Sequence, residues 1–173
     1  MINVDKNTFL DINLKAINKN YKIIKQIVGR KCIIAATVKA NAYGLGADKV
    51  VNSLIKKGCK YFFVATTNEA IYLRKLNKKI FIFILNGLVT KELKNIRKFN
   101  LIPVINNLAQ LKKIENYQKE NNCFLDIAIH FDTGMSRLGL DQNESEYLIK
   151  YKATMTIGNT KRLSINKPIS VST

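Results

Sequence analysis

From residue 33 onward the chain alternates short runs in which nearly every position is apolar with stretches whose apolar residues recur at helical spacing. The apolar runs, residues 33–38, 61–65, 80–85, 101–105 and 123–131, predict five strands. Between them, residues 49–57 carry Val50, Val51, Leu54 and Ile55 on one helix face, and residues 69–76 and 91–99, the latter with Leu93, Ile96 and Arg97, repeat the pattern. Leu108, Leu111 and Ile114 mark a helix over 108–118 with Asn107 placed to cap it, and a last helix is expected after Asn143. Ahead of the first strand, residues 14–28 put Ile17, Tyr21, Ile24 and Val28 on one face, a helix able to plug or flank the bottom of a barrel.

Strands that are apolar throughout, each followed by a helix, imply an α/β fold with a parallel sheet covered on both sides. A doubly wound sheet and an eightfold barrel both fit this rhythm. In either, catalytic residues sit at the C-terminal ends of strands.

The length of 173 residues suits one domain, and 47% hydrophobic content is enough for a substantial core. A formal charge of +17 suggests nucleic acid or an anionic membrane as partner. The residue types argue against it. There are 24 lysines and only five arginines, spread along the whole chain, and Asn (20) and Ile (23) are equally inflated, which looks like the imprint of an AT-rich coding sequence. Neither a nucleic-acid nor a membrane partner is therefore expected. Cys32, Cys59 and Cys123 are far apart, lack metal-ligand spacing and flank or lie in apolar segments, so they read as reduced core residues; no metal is expected. With no hydrophobic leader and no run of ~20 apolar residues, the expected location is the cytoplasm.

Two segments carry chemistry. In Val-Lys-Ala-Asn-Ala-Tyr-Gly-Leu-Gly-Ala (38–47), Lys39 leaves the first strand against apolar walls, where desolvation favours the neutral, nucleophilic amine. Tyr43 supplies a phenol four residues on, and Gly44 and Gly46 let backbone approach a ligand before a helix starts near Ala47, a place for a phosphate. After the fifth strand comes His-Phe-Asp-Thr-Gly-Met-Ser-Arg-Leu-Gly (130–139), whose Arg137 suits bidentate pairing with a carboxylate or phenolate.

Together these segments resemble the pyridoxal 5'-phosphate (PLP)-dependent alanine racemases, which carry a near-identical lysine stretch and a later Asp-Thr-Gly-Met-x-Arg-Leu-Gly stretch in an N-terminal barrel domain. The resemblance runs from about Thr8, where Phe9 to Leu14 look like the family's opening strand and helix, to about Leu148. It implies that the fold is a partial (β/α)8 TIM-type barrel with about five of eight strands, since a whole barrel takes ~250 residues. It implies that Lys39 holds PLP as a Schiff base and acts as one of two opposed acid/base groups, that Tyr43 bonds the cofactor phosphate, and that Arg137 lies near the PLP phenolic oxygen and the substrate carboxylate. The implied activity is interconversion of L- and D-alanine for peptidoglycan, and the implied assembly a homodimer.

There are departures. His130 stands where the family commonly has a lysine, often carbamylated, and this leaves open how Arg137 is oriented; Leu45 replaces a histidine of the lysine turn. The family's second acid/base group, a tyrosine, belongs to a C-terminal β-domain. Residues 150–173 hold no acidic residue and no strand-helix rhythm, so the expected organisation is an incomplete barrel domain over 1–149 and a basic, irregular or frameshifted tail over 150–173, the mark of a truncated gene. Two rival readings stand: a PLP-binding racemase-like barrel without racemase activity, against which Ala40-Asn41-Ala42-Tyr43 argues, and a non-functional fragment whose open sheet edge associates with another chain.

Overall fold

The computed structural model describes residues 10–155, with side chains through residue 150. Five strands, β1 (Ala35–Thr37), β2 (Tyr61–Val64), β3 (Phe81–Ile84), β4 (Ile102–Ile105) and β5 (Ala128–Ile129), pair in parallel in the order β1-β2-β3-β4-β5. A doubly wound sheet reverses direction at a switch point. Here every strand lies beside its sequence neighbour, the winding of a barrel, so the architecture is part of a (β/α)8 barrel.

Because side chains alternate along a strand, the register sorts the apolar runs onto two faces. Phe62, Val64, Ile82, Ile84 and Ile105 are buried toward the helices, while Phe63, Phe83 and Val104 form a second cluster with Ala35, Tyr61, Leu85, Ile102 and Ala128 on the inner face. Parallel pairing sets Tyr61 beside Phe81 and Phe63 beside Phe83, each pair with ring centroids 4.8 Å apart. Such ring pairs add about 0.5–1.5 kcal/mol beyond area burial. Phe81 is nevertheless 45% exposed. The expectation of a sheet covered on both faces thus holds only on the helix side, because five strands of an eight-strand closure leave the inner face open.

The first strand differs from expectation for the same reason. As an edge strand β1 has a partner on one side only; Ala35 and Ala36 are half-buried and Thr37 is exposed, so it is not the buried strand its apolar run suggests. Strand β5 keeps two residues of the nine expected, since β4 is its only neighbour.

Helix α1 (Leu14–Val28) has the predicted limits, and Asn13 caps it by accepting from the Ala16 amide at 3.0 Å. It packs on α3 (Ala47–Ile55) through Tyr21, flanking the β1 side rather than plugging the barrel. Ile24 and Val28, expected on its inner face, are exposed together with Ile23 and Ile27. Leu10 to Asn13 form no strand, and the rest of the expected opening strand lies outside the described residues.

Helix α4 (Thr67–Leu76) follows β2; a 3-10 turn (Thr90–Glu92) leads into α5 (Leu93–Lys98). Asn107 caps α6 (Leu108–Glu120) as expected, its Oδ1 accepting from the Gln110 amide at 2.9 Å. Helix α7 (Gln142–Met155) crosses the expected 149/150 boundary, and the tail beyond Met155 lies outside the described residues. Cys59 is buried and Cys123 half-buried, but Cys32 is exposed, so it is not a core residue. Burial pushes the Cys59 thiol up, which makes it inert. Among the described residues no helix is long and apolar enough to cross a membrane, and no group of His, Cys, Asp and Glu is placed to hold a metal.

Candidate active site

Lys39 does stand at the C-terminal end of β1, but what carries it is not an ordinary loop. The chain leaves the ladder after Val38, whose amide donates to Phe63 O at 2.8 Å. It then enters α2 (Lys39–Tyr43), in which Ala40, Asn41, Ala42 and Tyr43 have φ of 51°, 55°, 55° and 55°. This is a single turn of left-handed helix made without glycine. Left-handed conformation costs an L-residue about 1–2 kcal/mol, because Cβ crowds the following carbonyl oxygen. The turn closes through Ala42 N donating to Val38 O and Gly44 N donating to Ala40 O, each at 2.9 Å. Gly44 and Gly46, both at φ 85°, then release the chain into α3.

The turn brings Lys39 and Tyr43 together. Lys39 is half-buried, and its Nζ lies 5.9 Å from the centroid of the Tyr43 ring, within cation–π range. Tyr43 itself is 61% exposed, leaving its hydroxyl free to meet a ligand from the mouth of the sheet. The start of α3 suits an anion less well than the two glycines suggest. Asn41 Oδ1 already accepts the Ala47 amide at 2.8 Å, and Asp48 places a negative charge in the first turn.

Glu69, near the start of α4, is a site residue that the sequence reading missed. Its Oε1 accepts from the Ala40 amide at 2.6 Å, and its Oε2 from the amides of Ala65 at 2.8 Å and Thr66 at 3.2 Å. Thr66 Oγ1 accepts in return from the Glu69 amide, completing a capping box. The Thr-x-x-Glu spacing is the sequence signal for that box. The bond to Ala40, 29 residues away, has no such signal.

The Arg137 loop is ordered around Asp132, whose Oδ1 accepts from the amides of Gly134 and Ser136, both at 3.0 Å. The Ser136 and then the Gly134 amide hold this carboxyl below its usual range. Asp132 N donates to Leu140 O and Leu140 N to His130 O, pinching the loop at its base. A Cβ at Gly139 would lie 2.7 Å from the Asp132 nitrogen, so only glycine fits there. Arg137 is exposed at the top of the loop. Since β1 and β5 are opposite edges of the sheet, four strand spacings of about 4.8 Å separate the two loops. Among the described residues no hydrogen bond joins Arg137 to Lys39 or Tyr43. The structure thus brings two of the three expected residues together and sets the third at the same end of the sheet.

His130, at the end of β5, is held by a second unforeseen residue. Its Nδ1 lies 2.9 Å from Oδ1 of Asn106, which is 4% exposed and donates through Nδ2 to Leu85 O at 3.0 Å. With Nδ2 committed to a carbonyl, Asn106 accepts and His130 Nδ1 carries the proton. The ends of β3, β4 and β5 are so joined by side chains.

Residues 12–160 match the family model described as alanine racemase, N-terminal domain. The chain belongs to this family. Alanine racemase of Rickettsia prowazekii is 44% identical over 141 residues, which cover 81% of this chain and 35% of that protein. The crystal structure of alanine racemase from Bartonella henselae with covalently bound pyridoxal phosphate superposes with a TM-score of 0.77 at 36% identity, over 84% of this chain and 40% of that one. Histidine racemase from Leuconostoc mesenteroides reaches a TM-score of 0.72 at 23% identity over 82% of this chain and 38% of that one, a likeness of fold. This racemase-family chain spans little more than a third of the length of the Rickettsia prowazekii relative.

For an alanine racemase domain the donor set has the right chemistry for PLP. A half-buried primary amine and a phenol share one turn, and a guanidinium stands at the same end of the sheet.

Proposed function

We propose that this chain is the cofactor-binding part of an alanine racemase, holding PLP through Lys39. The observation that supports this best is the left-handed turn at the end of β1, which fixes Lys39 Nζ 5.9 Å from the Tyr43 ring within a sheet of the racemase family. When bound, PLP supplies the electron sink that makes the α-proton of an amino acid labile. Lys39 would supply the amine that holds the cofactor and would serve as the acid/base group on one face. The Tyr43 hydroxyl would donate to the cofactor phosphate, and the Arg137 guanidinium would donate to an anionic oxygen of cofactor or substrate. Racemisation needs a second acid/base group on the opposite face. The site assembled here offers one amine, so the chain alone is expected to bind PLP and not to racemise alanine. The remaining length seen in its relatives would bring the second group and, with it, the homodimer and the supply of D-alanine for the cell wall, in the cytoplasm.

The test is titration of the purified chain with PLP, followed by visible absorbance. A saturable new band lost in Lys39→Ala supports the proposal; a band that persists in that variant contradicts it. Appreciable alanine racemisation by the chain alone would overturn the assignment of the second group to another segment.

A further inference from the structure

We propose that Glu69 is a positioning residue for Lys39, acting through the backbone of the left-handed turn. The carboxylate is half-buried and bridges two strand exits: Oε1 takes the Ala40 amide of the β1 exit, and Oε2 takes the Ala65 and Thr66 amides of the β2 exit. A carboxylate has lone pairs on both oxygens, so one side chain can accept from both exits. Three bonds to backbone donors form one rigid joint, so the position of residue 40, and with it Lys39, is set relative to β2.

The joint matters because the segment it holds is strained. Four successive non-glycine residues sit at positive φ, and among the described residues side-chain hydrogen bonds tie them at two points, Ala40 through Glu69 and Ala47 through Asn41 Oδ1 at 2.8 Å. Loss of the first tie frees the end nearest Lys39 to relax toward right-handed backbone, which turns the lysine away from Tyr43. The half of the capping box that Thr66 supplies is separable from this role. The Glu69 amide donates to Thr66 Oγ1, a bond that Thr66→Ala removes while leaving all three carboxylate bonds in place.

Glu69→Gln is the discriminating substitution. The side chain keeps its size, but its NH2 must face a backbone N–H on one side; keeping the oxygen on the Ala65 and Thr66 amides preserves two bonds, so the Ala40 bond is the one lost. The experiment uses the full chain and two readouts, amide hydrogen exchange at Ala40 and capture of PLP at Lys39. In Glu69→Gln the Ala40 amide is expected to exchange on the order of tenfold faster, and PLP binding to weaken on the order of tenfold. Thr66→Ala lowers the melting temperature and leaves both readouts unchanged. Adding Ala40→Gly to Glu69→Gln restores PLP capture, because glycine adopts φ near 51° without penalty.

Unchanged exchange at Ala40 in Glu69→Gln would overturn the inference. So would parallel losses in Thr66→Ala, which would trace the effect to the stability of the α4 start and not to the carboxylate bonds. The consequence for PLP rests on the function proposed above. If the unaltered chain captures no PLP at Lys39 that function fails, while exchange at Ala40 in Glu69→Gln and in Thr66→Ala still decides the role of Glu69.

Discussion

Helix α4 reaches both ends of the sheet with a charged side chain, and the two ends use that charge differently. At the N-terminal end Arg74 donates from Nε to Phe99 O at 2.9 Å, from Nη1 to Lys78 O at 3.1 Å and Ile80 O at 2.7 Å, and from Nη2 to Asn100 O at 2.8 Å. These carbonyls belong to the segments that lead into β3 and β4, so one guanidinium fastens two strand entries. At the C-terminal end Glu69 accepts three amides from the exits of β1 and β2. The guanidinium draws together loop ends in which only Asn100 has positive φ, whereas the carboxylate holds the start of a turn with four such residues in a row. In barrels of this type the N-terminal face carries stability and the C-terminal face carries chemistry. The strain is located where the candidate lysine is.

The comparison can be broken at either end. Arg74→Met leaves four carbonyls without their donor and should destabilise the fold by about 3 kcal/mol, read as a lower urea midpoint. PLP capture per folded molecule should not change; a matching loss of capture would show that the two ends are not separable. Gly139→Ala drives a Cβ against the Asp132 backbone at a φ of 111° and should cost about 2 kcal/mol, with loss of order confined to residues 130–140. An unaffected Arg137 loop would mean that the C-terminal face is less constrained than its geometry indicates.

The smallest effect concerns pH. The folded Asp132 carboxyl sits below its ordinary value because it accepts from Ser136 and Gly134. Its contribution is therefore present above the unfolded value of about 4 and lost as pH falls through the lower folded value. Amide resonances of Gly134 and Ser136 should shift in that acid range and not near neutrality, and Asp132→Asn should remove the transition. A transition near neutral pH would contradict the assignment.

Much of the fold was legible because helix periodicity and capping are local. The limits of α1 and the Asn13 and Asn107 caps needed only neighbours in sequence. Barrel winding was not legible in the periodicity, because doubly wound and barrel sheets share the same strand-helix rhythm; it came from the racemase resemblance, and the strand order bears it out. Strand β5 was over-read: Phe124, Leu125 and Ile127 are apolar, but β4 alone can pair with this edge, and Phe124 ends exposed. Lys39, Tyr43 and Arg137 are singled out by their motifs alone. The left-handed turn was invisible, since Ala-Asn-Ala after a lysine favours right-handed helix by propensity. Its tie to Glu69 spans 29 residues, and Arg74 looks in sequence like any solvated charge on a helix.

The central claim is that one lysine among 24 is built to take PLP. The direct measurement is to incubate the chain with PLP, reduce with borohydride and map the modified peptides by mass spectrometry. The account predicts a phosphopyridoxyl adduct concentrated on Lys39 at the lowest cofactor concentrations. Adducts spread over the surface lysines, with Lys39 no more modified than the rest, would contradict it.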